Sequence, residues 1–332
     1  MTTLAIIGAG SWGTALALVL SARYDRVALW THEAALCERM AVSRENDVYL
    51  PGFRLPFNVF PVSGWTTALH EARVVLGVMP SRFARSIYSA MLPELRPEMV
   101  FVSATKGIES GTLLRMSEVL REAVQPRFDP RVAVLSGPTF AREVAGGEPA
   151  AVVISSTDAA AAKQIQSEFS GPTLRLYTNS DPVGVETGAA LKNVIAIGAG
   201  ICQGLGLGSN AQAALVTRGL AEITRLATAM GGDSRTLSGL AGLGDLVLTC
   251  TGDLSRNRSV GRQLAQGRTL AEITASMKMI AEGVETTGAA VALARRWNVE
   301  MPIATQMDRL LRGEISPPEA IRELMKRSLK DE

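Results

Sequence analysis

An apolar run, Leu4-Ala5-Ile6-Ile7, leads straight into Gly8-Ala9-Gly10-Ser11-Trp12-Gly13 and then into a second apolar stretch from Thr14 to Leu20. The glycine spacing is G-x-G-x-x-G, which alone is a weak signal. Here it follows a strand pattern and opens a helix pattern over 12–21, with another strand pattern from Val27. That is the context a dinucleotide-binding turn requires. Gly8 allows the tight turn, Gly10 lets backbone approach a pyrophosphate, and Gly13 lets the helix lie close to the strand. The helix N-terminus then offers N–H groups to phosphate oxygens. A signal peptide is not expected, because the stretch lacks a basic leading region and is interrupted by glycines.

The alternation continues beyond this turn. Short β-branched and apolar runs recur at 4–7, 27–30, 74–78, 100–103, 132–135, 151–155 and 174–177, separated by helical patterns. They predict an α/β fold with an N-terminal Rossmann-type, doubly wound, mostly parallel sheet. After about Asn179 the strand runs thin out, and apolar residues recur at helical period, as at Leu215, Leu220, Ile223 and Leu226. Ser316-Pro317-Pro318-Glu319 predicts a helix start, with Ile321, Leu324, Met325 and Leu329 as its apolar face. The expected division is a dinucleotide-binding domain over 1–180 and an all-helical substrate-binding and catalytic domain over 181–332. A chain of 332 residues is long enough for two cores. The active site of such a pair belongs in the cleft between them.

Composition excludes several classes of function. At 47% hydrophobic and 20% charged, the chain is not disordered. Its 34 basic and 32 acidic residues are scattered, so no concentrated basic face is offered to nucleic acid. One local cluster, Arg256, Arg258 and Arg262, suits a small anion. No apolar run reaches about 18 residues unbroken, so no membrane span is expected. Cys37, Cys202 and Cys250 form neither a disulfide framework nor a zinc pattern, which points to a reducing cytoplasm and to no metal site.

The second strand ends in Trp30-Thr31-His32, without the acidic residue that usually holds the ribose 2′-OH of NAD. A 2′-phosphate would not be repelled there, and His32 is placed to hydrogen-bond it. The cofactor expectation is therefore NADP(H) or NAD(H), leaning to NADP. His32 and His70 are the only histidines, and His70 lies in an ordinary amphipathic stretch, so a histidine proton relay is not expected. Lysine is the better lead, with six lysines against 28 arginines. A buried lysine can lower its pKa and exchange a proton, whereas arginine stays charged. Lys106 falls just past the end of a strand, at the edge where open α/β sheets bind ligands. Lys192 lies within Ala189-Ala190-Leu191-Lys192-Asn193-Val194-Ile195, in the most apolar helix pattern of the chain.

These features carry a resemblance. Residues 8–17, Tyr49-Leu50-Pro51-Gly52, Ala104-Thr105-Lys106-Gly107, Ser136-Gly137-Pro138-Thr139-Phe140-Ala141 and Leu191-Lys192-Asn193-Val194-Ile195-Ala196 are similar to bacterial NAD(P)-dependent glycerol-3-phosphate dehydrogenases. So are Arg218-Gly219-Leu220, Gly242-Leu243-Gly244-Asp245 and Ser255-Arg256-Asn257-Arg258, in the same order along the chain. The resemblance implies reduction of dihydroxyacetone phosphate, a small phosphorylated triose, to sn-glycerol 3-phosphate, in a cytoplasmic enzyme supplying glycerophospholipid synthesis. It implies that Lys192 is the proton donor, with Lys106 and Asp245 as its catalytic partners. Substrate contacts are implied for Lys106, Gly137, Thr139, Lys192, Asn193, Asp245, Ser255, Arg256 and Asn257. Cofactor contacts are implied for Gly8, Gly10, Ser11, Trp12, Gly13, His32, Lys106, Ala141, Arg256, Ile280 and Glu282. Chemistry agrees with these roles. Carbonyl reduction builds charge on oxygen, which an ammonium stabilises and then protonates. Asp245 can hold the Lys192 amine, and Arg256 with Asn257 can grip a phosphate through N–H donors. Gln203 and Leu207 depart from the family, which usually has an acid and an aromatic residue there.

Two rival readings and one compatible addition fit the same residues. One is a two-domain dehydrogenase of a small hydroxy acid, which would need a carboxylate grip. Another is a non-catalytic dinucleotide sensor, which would need no apolar-flanked lysine. In the third, the helical half mainly serves to form a homodimer, which is compatible with catalysis.

Overall fold

The computed structural model describes residues 2–277, 279 and 281–328. Its strands are β1 (Thr3–Ile7), β2 (Arg26–Trp30), β3 (Glu45–Asn46), β4 (Leu50–Arg54), β5 (Val59–Val62), β6 (Ala72–Gly77), β7 (Val100–Ser103), β8 (Arg131–Ser136), β9 (Ala150–Ser155) and β10 (Leu174–Asn179). Eight of them form one sheet in the order β10-β9-β8-β7-β6-β1-β2-β5. β1 pairs in parallel with both β2 and β6, so Leu4 stands between Val27 and Val74. Within this sheet only the β8–β9 pairing is antiparallel. The segment between them holds only the short helix Ala141–Ala145, without the long crossover that parallel strands need.

All seven expected strands are present. β5 and the small β3–β4 ribbon were not expected. β5 carries Pro61 and Phe60 in place of an alternating pattern, and it survives because it is an edge strand, where a missing N–H goes unnoticed. Alternate side chains enter two cores. Leu4 and Ile6 pack with Leu16 and Leu20 of helix Ser11–Leu20 and with Ile165 of helix Ala159–Phe169. Ala5 and Ile7 face Tyr88 and Met91 of helix Ala84–Met91 and Leu120 of helix Met116–Val124. The first helix starts at Ser11, one residue before the sequence pattern suggests.

The helical C-terminal domain is built around helix Pro182–Gly204. Asp181 caps it by accepting from the Gly184 N–H at 2.8 Å, and Pro182 opens its first turn. Every residue from Gly184 to Cys202 is buried. By length and composition this helix is apolar enough to cross a membrane, but the whole window that passes the test is covered by protein. A helix that is apolar all round is then a core helix. It crosses helix Arg256–Ala265 at two glycines, Gly200 and Gly261. A Cβ on Gly200 would overlap the Arg258 carbonyl oxygen, and one on Gly261 the Ile197 carbonyl oxygen. Val134 and Val153 of the sheet meet Val185 and Ala241 of the helical domain in a small apolar junction.

The last helix, Pro317–Met325, has the expected capping box of Ser316 and Glu319. Its buried side is Ala320 with Leu324, whereas Met325 is 81% exposed. Met325 therefore does not belong to the apolar face, and Leu329 lies outside the described residues. Replacing Gly200 by Val should push the two crossing helices apart and lower the unfolding free energy by about 3 kcal/mol. Urea denaturation of the two proteins measures this, and an unchanged midpoint would contradict the close crossing.

Candidate active site

The carboxyl ends of β1, β6, β7 and β8 lie along one edge of the sheet, and the helical domain faces that edge. At β1 the chain turns through Gly8, whose φ is +123°. A Cβ on Gly8 would overlap the Val78 carbonyl, and one on Gly13 the Gly8 carbonyl, while one on Gly10 would meet nothing within 4 Å. Gly8 and Gly13 thus keep turn, strand and helix together, and Gly10 fronts open space. No side chain caps the Ser11–Leu20 helix, so its first N–H groups point off the end of β1. Asn46 fixes the turn from the β3–β4 ribbon. Its Nδ2 donates to the Ala9 carbonyl and to Thr14 Oγ1, each at 2.8 Å. These residues fit a pyrophosphate: an open glycine, an uncapped helix start and a rigid loop.

His32 stands exposed beyond β2, its ring 6.4 Å from that of Trp30. Glu33 follows, and the Tyr49 hydroxyl donates to its carboxylate at 2.7 Å. Gly137, Thr139 and Ala141 lie at the end of β8, where helix Ala141–Ala145 packs on helix Ser11–Leu20.

Across the cleft, Lys192 projects from the middle of the buried helix and is 5% exposed. Its Nζ donates to Asp245 Oδ1 at 2.6 Å and to Thr249 Oγ1 at 2.7 Å. Asp245 is fully buried, and its other oxygen accepts from Lys106 Nζ at 2.9 Å. Burial pushes the Lys192 ammonium down to about 8; the Lys106 ammonium adds to this, and the Asp245 carboxylate opposes it. Two ammoniums therefore share one carboxylate in a dry place, and burial holds one of them well below the usual lysine range. Thr249 was not singled out from sequence. It lies four residues after Asp245 on helix Asp245–Thr251, and that spacing is the signal for one shared face.

Asn193 and Asn257 meet beside this group. Asn257 Nδ2 donates to Asn193 Oδ1 at 2.9 Å, and its Oδ1 accepts from the Gly283 N–H at 2.9 Å. Asn257 thus also ties three helices together. Ser255 caps helix Arg256–Ala265, and Arg256 is its first residue, exposed at the cleft. The three-arginine cluster is not one grip. Arg258 is engaged with Asp253 at 2.8 Å, because residues two apart on a helix point away from each other. Glu282 reaches back across the cleft, accepting from the Ser81 hydroxyl at 2.6 Å and the Ser81 N–H at 3.3 Å. Burial raises its carboxyl pKa. Ile280 lies outside the described residues. Gln203 and Leu207 are both exposed, at and just beyond the end of the Pro182–Gly204 helix.

Residues 3–162 match the N-terminal part of NAD-dependent glycerol-3-phosphate dehydrogenase, and residues 181–322 match its C-terminal part. The chain belongs to this family. A glycerol-3-phosphate dehydrogenase [NAD(P)+] of Koribacter versatilis is 56% identical over 98% of both chains. One of Citrifermentans bemidjiense is 51% identical over 99% of this chain and 98% of its own. The solved structure of glycerol-3-phosphate dehydrogenase from Coxiella burnetii superposes with a TM-score of 0.94 at 38% identity, covering 98% of this chain and 99% of its own. This glycerol-3-phosphate dehydrogenase family member therefore combines the expected Rossmann-type sheet with a helical C-terminal domain.

Thr249→Val keeps the shape and removes one acceptor from the Lys192 ammonium. The charged form then loses a hydrogen bond, and its titration midpoint should fall by about one unit. NMR of the ¹³C-methylated lysines reads this directly, and an unmoved Lys192 resonance would rule out the Thr249 contact.

Proposed function

We propose that this chain reduces dihydroxyacetone phosphate to sn-glycerol 3-phosphate, reversibly, with Lys192 as the proton donor. The reaction is that of the family to which the chain belongs. The observation that carries the assignment of roles is the Lys192–Asp245–Lys106 group, in which lysines of both domains meet on one buried carboxylate. Gly8, Gly10 and Gly13 with the start of the Ser11–Leu20 helix would hold a nicotinamide cofactor, which would supply the hydride. As charge develops on the ketone oxygen, the two ammoniums stabilise it, and Lys192 Nζ delivers its proton there. Asp245 keeps both amines in place through one bond to each. Thr249 Oγ1 fixes the direction in which the Lys192 amine points.

Arg256, with Asn257 beside it, holds the substrate phosphate, and Gly137 and Thr139 close on it from the sheet side. Ser11, Trp12, Ala141 and Glu282 line the cofactor cleft. The side-chain amide of Asn193 orients Asn257. NADP is preferred over NAD, because Glu33 is engaged with Tyr49 and the β2 tip presents His32. We place the division between the domains at residues 180 and 181. The three cysteines are free thiols, which supports a cytoplasmic location, where the product serves as the backbone of glycerophospholipids.

The decisive assay follows loss of absorbance at 340 nm with dihydroxyacetone phosphate, using NADPH and NADH in parallel. Wild type should oxidise both, NADPH faster, and Lys192→Ala should lose about 10²–10⁴-fold in rate. Reduction needs the charged amine, so kcat/KM should hold below about pH 8 and fall above it. Oxidation needs the neutral amine, so it should rise through the same pH. Cofactor binding without turnover would overturn the assignment.

His32→Ala should raise KM for NADPH more than for NADH. Equal effects on both would remove the 2′-phosphate role.

A further inference from the structure

Glu186 takes no part in the chemistry above, yet it is among the most deeply placed charges in the molecule. It lies near the start of the central helix and is 3% exposed. Its carboxylate accepts three hydrogen bonds: from Arg115 Nη1 at 2.6 Å, from the Ser117 N–H at 2.7 Å and from the Ser117 hydroxyl at 2.6 Å. All three donors belong to the sheet domain, at the start of helix Met116–Val124. The carboxylate thus meets a guanidinium and the positive end of a helix dipole together. A charge so buried is held in place, because moving it off its partners costs several kcal/mol.

Arg115 is also the far end of the loop that begins after Lys106. Ile108 and Arg115 pair as an antiparallel bridge, and the Glu109 N–H donates to the Leu114 carbonyl at 2.9 Å. Residues 107–115 therefore form a narrow arm. Arg85 holds its outer side through Glu109, at 2.9 and 2.8 Å. Its inner side enters the other domain: Ile108 belongs to the core of the helical domain, and Leu113 packs against that core. Lys106 stands at the root of the arm. It comes from the sheet but bonds Asp245 of the helical domain.

The seating of the arm sets the gap that Lys106 must span. We propose that Glu186 is a positioning residue for the reaction: by gripping Arg115 and Ser117 it fixes the arm, and with it the placement of Lys106 on Asp245. This rests on the reading that Lys106 works in the active site. The charged and titratable groups facing Lys192 are Asp245, Lys106 and the buried Cys250 thiol, itself pushed up to about 12 by burial. If Lys106 drifts, Lys192 loses a neighbouring positive charge and keeps Asp245 to itself. Its titration then moves upward.

Glu186→Gln keeps the volume and removes the charge. Its kcat/KM for dihydroxyacetone phosphate should fall about a hundredfold, as expected when a catalytic group is misplaced by about an ångström. The upper limb of the pH profile should move to higher pH. Ser117→Ala removes one of the three bonds, leaves the fold intact, and should shift the same limb in the same direction by less. Adding Glu186→Gln to Lys106→Met should cost little beyond Lys106→Met alone, because both changes act through one contact. A lowered melting temperature with wild-type KM and an unmoved limb, in Glu186→Gln or, should that variant not fold, in Ser117→Ala, would make Glu186 a structural clamp only and overturn the proposal. Wild-type activity in Lys106→Met would instead overturn the reading of the site on which it rests.

Discussion

A fully buried carboxylate, Asp245, is shared between two ammoniums that arrive from opposite sides of the molecule. Ionised and alone at that depth it would cost several kcal/mol, and the two lysines offset that cost. Lys192 comes from the core helix of one domain, and Lys106 from the sheet edge of the other. The carboxylate can be satisfied by both only when the two domains are docked. With two positive charges against one negative, the site keeps a net positive character in a place of low dielectric. That is the environment an oxygen gaining negative charge requires, and it is assembled before any substrate arrives.

The rest of the fold makes that environment dry. Helix Pro182–Gly204 is covered on all sides, and the Gly200–Gly261 crossing lets helix Arg256–Ala265 approach it to backbone contact. The close crossing brings Asn257 within reach of Asn193, one residue from Lys192. The same packing that excludes water pushes the Lys192 amine toward the pH at which it can both give and take a proton. Stability and catalysis are served here by one set of contacts, from Val194 and Ile195 packed in the core to Thr249 on the amine.

How much of this was legible depended on the range of the interaction. Near-continuous apolar runs such as 4–7 and 100–103 announce strands buried on both faces, because each residue's environment is set by its immediate neighbours. The glycine turn reads equally well, since its demands are local. β5 was missed because an edge strand tolerates Pro61, and the β3–β4 ribbon because its strands are short and contain Pro51 and Gly52. Lys192 was visible through its apolar flanks and Lys106 through its place at the end of a strand, and the family resemblance added Asp245 to them. Asn46 was invisible, since its partners Ala9 and Thr14 are more than 30 residues away in sequence. Arg258 misled for the opposite reason: close in sequence to Arg256, it points elsewhere and meets Asp253.

The cofactor end of the cleft follows the same electrostatic logic with reversed sign. An acid at the tip of β2 would oppose a 2′-phosphate, and this chain carries one only a few residues on, at Glu33. The Tyr49 phenol donates to that carboxylate, and the bond pushes the phenol up to about 12, so it remains a donor across the physiological range. Tyr49 belongs to the turn of the ribbon whose Asn46 holds the glycine loop through Ala9. One small ribbon therefore does two things at once: it holds the glycine turn through Ala9 and engages the Glu33 carboxylate. A segment without a strand pattern in the sequence thereby braces both the glycine turn and the first acid beyond the β2 tip.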